Sequence, residues 1–161
     1  MDPAIRGATA DDYPAILPLT EEILEQHATA LPGVFQTLPC PLPEPYFRAL
    51  LNDRSYNVYV AEGDKRIVGL AILTVRPSPD VPMLVPQMTA TIENLVVTQA
   101  FRGQGVGKAL VQACVARAKE KRAALLDLLV WEFNTEAIAF YERLGMKTLN
   151  RKMSLLLPDE S

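Results

Sequence analysis

The chain is poor in the residues that carry several common chemistries. Its 161 residues include one histidine, His27, and two cysteines, Cys40 and Cys114. A catalytic triad or a histidine-based zinc site would depend entirely on His27, and two cysteines without CxxC spacing form no disulfide framework. Cys114 falls on the apolar side of a predicted helix, which favours a packed thiol.

Positive charge and long apolar runs are scarce as well. Sixteen Lys and Arg against nineteen Asp and Glu leave a net charge of −3, which argues against nucleic acid as a partner and is compatible with a basic substrate such as an amine. No apolar run approaches the roughly 18 residues of a membrane span. The N-terminus "MDPAIRGATADDY" lacks the apolar core of a secretory signal. These features predict no membrane partner and a cytoplasmic location.

Hydrophobic periodicity predicts mixed α/β structure in a single domain. The predicted order is a strand, two helices, three strands, a glycine loop with a helix, a strand, a helix and a final strand. The first two of the three strands are predicted to form a hairpin at "GDK", and Asn134 is predicted to cap the last helix. Pro18 is expected to kink or split the first helix. "ALLDLLVW" is typical of a strand covered on both faces, and "KTLNRKMSLLL" is predicted to close the chain as a strand. The proline-rich connection at 76–88 is compatible with a lid or an oligomer contact.

The stretch "RGQGVGK" at 102–108 lies between a predicted strand and a predicted helix. It does not fit the Walker A pattern, because Arg102 and Ala109 stand where Gly and Ser or Thr are required, and Lys108 breaks the GxGxxG spacing. What remains is Arg-x-x-Gly-x-Gly, in which consecutive backbone N–H groups can turn toward one point at a helix N-terminus. A diphosphate is the natural occupant of such a loop; a purely structural turn is the alternative.

Two spaced motifs together resemble the GNAT N-acetyltransferase superfamily. The first is Val-x-x-x-x-Arg-x-x-Gly-x-Gly-x-x-Leu from Val97 to Leu110, and the second is Asn-x-x-Ala-x-x-x-Tyr-x-x-x-Gly from Asn134 to Gly145. The resemblance implies one domain over 1–161, with acceptor-side helices in 1–55 and an acetyl-CoA-binding core in 89–145. It also implies a central, mixed, largely antiparallel sheet that splays open, flanked by helices on both faces, with acetyl-CoA as cosubstrate and no metal.

The same resemblance implies a set of cofactor-binding residues. In this family the pantetheine arm pairs with the backbone of the strand before the loop, and the pyrophosphate lies on the loop amides. Transferred to this sequence, the set is Leu95, Val96, Val97, Arg102, Gly103, Gln104, Gly105, Val106, Gly107, Lys108, Asn134, Ala137 and Tyr141.

Acetyl transfer to an amine also needs an acid for the leaving thiolate and a neutral amine. Tyr141 lies two helical turns after Asn134, on the same face, and matches the position of the family's acid; a core tyrosine is the alternative. Glu93 is a candidate base, placed by strand alternation on the side of Leu95; an ion pair with a basic neighbour is its alternative.

The acceptor side is less defined. The resemblance places His27 and Phe35 where they could line the substrate pocket, although His27 could equally be a cation at a helix C-terminus.

The predicted function is therefore acetyl-CoA-dependent transfer of an acetyl group directly to an amine of a small molecule or of a protein or peptide. The alternative is a non-catalytic acyl-CoA-binding sensor or interaction module on the same fold. Many members of this superfamily are dimers, so a homodimer is compatible with the resemblance.

Overall fold

The apolar runs of the sequence fold into one sheet and a set of helices. The structure is a computed structural model that describes residues 3–158. The strands in this range are β1 (Ala4–Gly7), β2 (Tyr56–Gly63), β3 (Arg66–Pro77), β4 (Met88–Val97) and β5 (Leu125–Leu128). The α-helices are α1 (Tyr13–Ala30), α2 (Glu44–Asn52), α3 (Val106–Glu120) and α4 (Thr135–Arg143).

The chain divides after Leu129 into two compact units. The first contains the whole sheet and α1 to α3, and the second contains α4 and the segment that follows it. The assignment of 1–161 to a single domain, with its parts 1–55 and 89–145, stays a prediction.

The sheet is mixed and largely antiparallel, in the order β1-β2-β3-β4-β5. The first four strands pair antiparallel, and β5 runs parallel to β4. Asp64 and Lys65 connect β2 to β3 with φ values of 52° and 62°, the left-handed pair that a two-residue hairpin requires. The sequence-based prediction of this hairpin is confirmed.

Helices cover both faces of the sheet within the first unit. On one face Leu70 and Ile72 of β3 pack with Ile16 of α1 and Phe47 of α2 in a buried apolar cluster. On the other face a Cβ atom at Gly69 would lie 3.0 Å from the Leu110 side chain of α3. Because successive strand residues point to opposite faces, β3 is buried on both sides, as the predicted fold class requires.

Cys114 lies in α3 and is completely buried, which confirms the packed thiol. Burial raises the pKa of its thiol to about 12, so the group stays protonated at neutral pH.

Two predictions about secondary structure are wrong, one of them in part. Pro18 does not split the first helix, because α1 runs unbroken from Tyr13 to Ala30 with Pro18 inside it, and a kink at Pro18 stays a prediction. The expected C-terminal strand is also missing: residues 146–158 have no strand in the described chain, and their leucines are exposed. An alternating pattern forms a strand only where a neighbouring strand supplies hydrogen bonds.

A partly buried ionic contact fixes the start of α1 against the sheet. Arg6 of β1 donates two hydrogen bonds of 2.8 Å to Asp12 and one of 2.8 Å to Glu62 of β2. Asp12 also accepts from the backbone N–H of Thr9 at 2.7 Å. The Arg6 hydrogen bonds hold the pKa of Asp12 at about 2, well below its usual range.

Removal of this carboxylate should make stability depend less on pH. The folded pKa of Asp12 lies below its unfolded value, so its contribution is complete above about pH 4 and is lost as pH falls through about 2. We expect Asp12→Asn to lower the free energy of unfolding at pH 7 by about 2 kcal/mol, less near pH 2. Urea denaturation across pH measures this, with the exposed Asp11→Asn as control. A loss of the same size at every pH would contradict it.

Candidate active site

The glycine loop forms the junction between β4 and α3. Gly103 and Gly105 have φ values of 73° and 88°, the left-handed region that favours glycine. Gly105 is the N-cap of α3, and no side chain caps the helix there. The first N–H groups of a helix have no acceptor within it and carry partial positive charge. The exposed backbone of this loop therefore fits a diphosphate group.

Arg102 is bound to α1 rather than projecting freely beside the loop. Its guanidinium donates to Glu22 at 2.8 Å and to the carbonyl of Val97 at 2.9 Å. Glu22 also accepts from the Thr98 hydroxyl and the Gln99 backbone N–H, each at 3.2 Å. One carboxylate of α1 thus binds three donors at the start of the loop, a role that sequence reasoning missed because Glu22 lies far from the loop in sequence.

The backbone before the loop has one unpaired side. β4 pairs with β5 only from Thr89 to Ile92, where it meets Leu125 to Leu128. It continues beside β3 as far as Val97. From Glu93 to Val97, no described strand pairs with β4 on the β5 side, which confirms the splayed sheet. Backbone groups on this side of β4 are thereby available near the glycine loop, except the Val97 carbonyl, which accepts from Arg102.

Glu93 occupies a β-bulge in β4. Ile72 pairs with Asn94 while Leu73 pairs with Ile92, which leaves Glu93 as the extra residue. Its carboxylate accepts a hydrogen bond of 3.1 Å from the Thr74 hydroxyl, on the sheet face that α1 and α2 cover. Leu95 pairs with Ala71 and so faces the other side. The expectation that Glu93 and Leu95 share a face is wrong, because the bulge interrupts the two-residue alternation.

Sequence reasoning also missed the polar side chains around Glu93. The pKa of the Tyr46 phenol in α2 is raised mainly by burial. The nearby Tyr56 and Glu93 raise it further. Arg76 lies over the Tyr56 ring at 5.0 Å. No local motif identifies these residues, because separate elements bring them to one face.

The second motif forms the expected start of α4. Asn134 caps this helix, and its side-chain oxygen accepts from the backbone N–H of Ala137 at 3.1 Å. Tyr141 lies two turns later, half-buried, with its ring 5.2 Å from that of Phe140. The structure thus brings Asn134 and Ala137 into direct contact in the second unit. The catalytic role of Tyr141 stays a prediction.

His27 and Phe35 contact each other at the end of α1. Their rings meet edge to face with centroids 5.1 Å apart, and His27 Nδ1 lies 2.7 Å from the carbonyl of Ile23. An open cleft runs along the same part of α1, and carboxylates of Glu22 and Glu25 line it together with Gln99. His27 and Phe35 are therefore in contact with each other, while their role in substrate binding stays a prediction.

The family model of the acetyltransferase (GNAT) family matches residues 20–146. This chain belongs to the GNAT family. The match includes the glycine loop, the splayed part of β4 and the Asn134 helix. Among the described residues, no helix has the length and hydropathy needed to cross a membrane.

Curated relatives and solved structures agree with this assignment. The chain is 32% identical over 100 residues to a glucosamine 6-phosphate N-acetyltransferase of Trypanosoma brucei brucei, covering 61% of this chain and 63% of that protein. It is 28% identical over 102 residues to an uncharacterised N-acetyltransferase of Methanocaldococcus jannaschii, covering 63% and 44%. The matches span less than two thirds of both relatives. A crystal structure of a BH1408 variant from Bacillus halodurans has a TM-score of 0.93 at 27% identity, covering 96% of this chain and 99% of that one.

The Glu22–Arg102 pair should couple α1 to the loop energetically. Both side chains are partly exposed, so we expect a coupling of about 1 kcal/mol between Glu22→Gln and Arg102→Gln in a double-mutant cycle. Urea denaturation of the four proteins measures it. The adjacent Glu21→Gln, at an exposed position of α1, replaces Glu22→Gln in the control cycle. Equal coupling energies in the two cycles would contradict a specific interaction between Glu22 and Arg102.

Proposed function

We propose that this GNAT chain is an acetyl-CoA-dependent N-acetyltransferase that moves an acetyl group directly to an amine of a small molecule or of a protein or peptide. The observation that carries the proposal is the position of an unpaired strand edge immediately before an uncapped, glycine-rich helix start. These two features match an elongated ligand with amide groups along one part and a diphosphate at the other. When bound, acetyl-CoA supplies the acetyl thioester.

The backbone of the first unit would hold this cosubstrate. N–H groups of Gly103 to Lys108 would bind the diphosphate, with the helix dipole adding attraction. The free edge of Leu95, Val96 and Val97 would pair with the pantetheine amides. An N–H group on the same edge would stabilise negative charge that develops on the acetyl oxygen during transfer.

Proton transfer completes the proposed reaction. A bond forms between the amine nitrogen and the acetyl carbon as the carbon–sulfur bond breaks, so the nitrogen loses a proton and the sulfur gains one. Glu93 would accept the proton from the amine, directly or through water, because its carboxylate lies on the face covered by α1 and α2. Tyr141 would donate its phenolic proton to the leaving sulfur.

The acceptor amine is proposed only as a class. Glucosamine 6-phosphate appears in the name of the Trypanosoma relative, so an amino sugar phosphate is one candidate. The carboxylate of Glu25 in the α1 cleft favours a different candidate, an amine that carries additional positive charge; the other carboxylate of the cleft, Glu22, is bound to Arg102. His27 and Phe35 would contribute to the same wall.

Free-thiol release from acetyl-CoA tests the proposal. Amino sugars, polyamines, aminoglycosides, amino acids and peptides are supplied separately, and calorimetry measures acetyl-CoA binding alongside. We expect binding together with thiol release on one class of amine. Binding without release on any amine would favour the acyl-CoA sensor, and the absence of binding would overturn both functions.

Tyr141→Phe should separate chemistry from binding. The change removes the phenolic proton and little volume, so we expect kcat to fall about 100-fold or more while the acetyl-CoA dissociation constant changes less than about threefold. Thiol release and calorimetry measure the two quantities. Tyr59→Phe, in β2, is the matched control and should retain activity. Unchanged turnover in Tyr141→Phe would remove this residue from the mechanism.

Glu93→Gln should slow transfer without weakening cosubstrate binding. An amide cannot accept the amine proton, although it can still accept the Thr74 hydrogen bond, so we expect kcat to fall about 10- to 100-fold. The readouts are steady-state thiol release and acetyl-CoA calorimetry. Glu120→Gln, an exposed carboxylate at the end of α3, provides the comparison. If both variants keep full turnover, Glu93 has no role as a base.

A further inference from the structure

A row of polar side chains crosses the sheet where the apolar cluster under α1 and α2 ends. Its members pair with one another in order from β2 to β5, and they are Tyr56, Thr74, Thr91 and Asp127. Paired residues of neighbouring strands project to the same face. Thr74 lies two residues after Ile72 of the buried cluster, so these four residues, the polar row, lie on the face that α1 and α2 cover.

Two carboxylates lie at the polar row and are bound by hydroxyl groups rather than by bases. The Thr91 hydroxyl donates to Asp127 at 2.6 Å, and the Thr74 hydroxyl donates to Glu93 at 3.1 Å. No ion pair between residues 3 and 158 includes either carboxylate. Both carboxylates can therefore attract the amine of an acceptor.

Arg76 supplies the opposite charge on the same face. It lies two residues after Thr74 in β3, and its guanidinium lies over the Tyr56 ring at 5.0 Å. A guanidinium in contact with a ring keeps its N–H donors for an anion, and in the described part of the chain no carboxylate forms an ion pair with Arg76. The side chain is exposed, so an anion can reach it from solvent.

The phenol of Tyr46 in α2 lies near both charges. Besides burial, Tyr56 and Glu93 raise the pKa of this phenol, whereas Arg76 lowers it. Glu93 is four positions along β4 from Thr89, the partner of Arg76, which corresponds to at most about 13 Å between backbones. The two long side chains shorten this gap, so it fits a small acceptor whose amine and anion are several bonds apart.

We propose that Arg76 binds an anionic group of the acceptor, a carboxylate or a phosphate, while the acceptor amine lies at Glu93. The acceptor is then an amine that carries a negative charge, and Arg76 is a specificity-determining residue. This inference rests on the proposed acetyl transfer and names its acceptor class. Opposite charges at the two ends orient the acceptor, so that its amine and not its anion approaches the candidate base.

The cleft along α1 has a different charge pattern. Its lining includes Glu22 and Glu25 but not Glu93, so it would attract a polycationic amine away from the candidate base. At the polar row such an amine would meet the like charge of Arg76. The position of the candidate base beside a cation therefore favours the anionic acceptor.

Thiol release with paired acceptors tests the acceptor class. The members of a pair differ only in the anion: a hexosamine 6-phosphate is compared with the hexosamine, and a dipeptide with its C-terminal amide. A polyamine is measured alongside. We expect kcat/KM for the anionic member of one pair to exceed that for its partner about 10- to 100-fold. The pair that shows the difference identifies the anion as phosphate or carboxylate.

Arg76→Gln should remove this preference. We expect kcat/KM for the anionic acceptor to fall about 10- to 100-fold, mainly through KM, while kcat/KM for its neutral partner and the acetyl-CoA dissociation constant change less than about threefold. Arg76→Lys keeps the charge and should recover part of the loss. Arg66→Gln is the matched control, because Arg66 lies in the same strand and over the Phe101 ring, also at 5.0 Å.

The acceptor class and the acetyl transfer itself fail in different ways. Three results would overturn the acceptor class alone: equal kcat/KM within both pairs, a preference for the polyamine, or a preference for the anion that Arg76→Gln leaves intact. The absence of thiol release with every amine would overturn the acetyl transfer, and the acceptor class with it.

Discussion

The separation of the parallel strands β4 and β5 is the feature on which the candidate site depends. β4 and β5 share four residue pairs, and β4 then continues with β3 on one side only, so the backbone polar groups on its other side need partners from elsewhere. A sheet that remained paired to its end would have no such groups to offer. The glycine loop comes after the five residues of β4 that lack a strand partner on this side, so backbone groups suited to amides precede helix-start N–H groups suited to anions.

The side chains that hold α1 and the glycine loop in place come from distant parts of the sequence. Glu22 binds the beginning of the loop from α1, and the Arg6–Asp12–Glu62 contact fixes the beginning of α1 against the sheet. α1 is thus connected at one end to β1 and β2 and further along to the loop. A displacement of α1 would have to break charge-assisted hydrogen bonds at both places.

Sequence patterns predicted the elements well where local chemistry decides them. The Asn134 cap, the Asp64–Lys65 hairpin and the glycine start of α3 each depend on one or two residues with specific backbone preferences. Contacts between distant elements could not be predicted in this way. The bulge at Glu93 depends on the register between β4 and β3. The prediction of a final strand was wrong because an alternating pattern does not specify which strand it pairs with.

The bulge also constrains how β4 can change in length. Deletion of one residue near Glu93 would restore regular alternation with β3 and turn either the preceding or the following part of the strand over. Val96, now in the cluster with α1 and α2, would then exchange sides with its neighbours Leu95 and Val97, or Ile92, now buried on the opposite face, would exchange sides with a polar neighbour. The irregularity is therefore a fixed part of the strand, and its removal would change which side chains each face of the sheet presents.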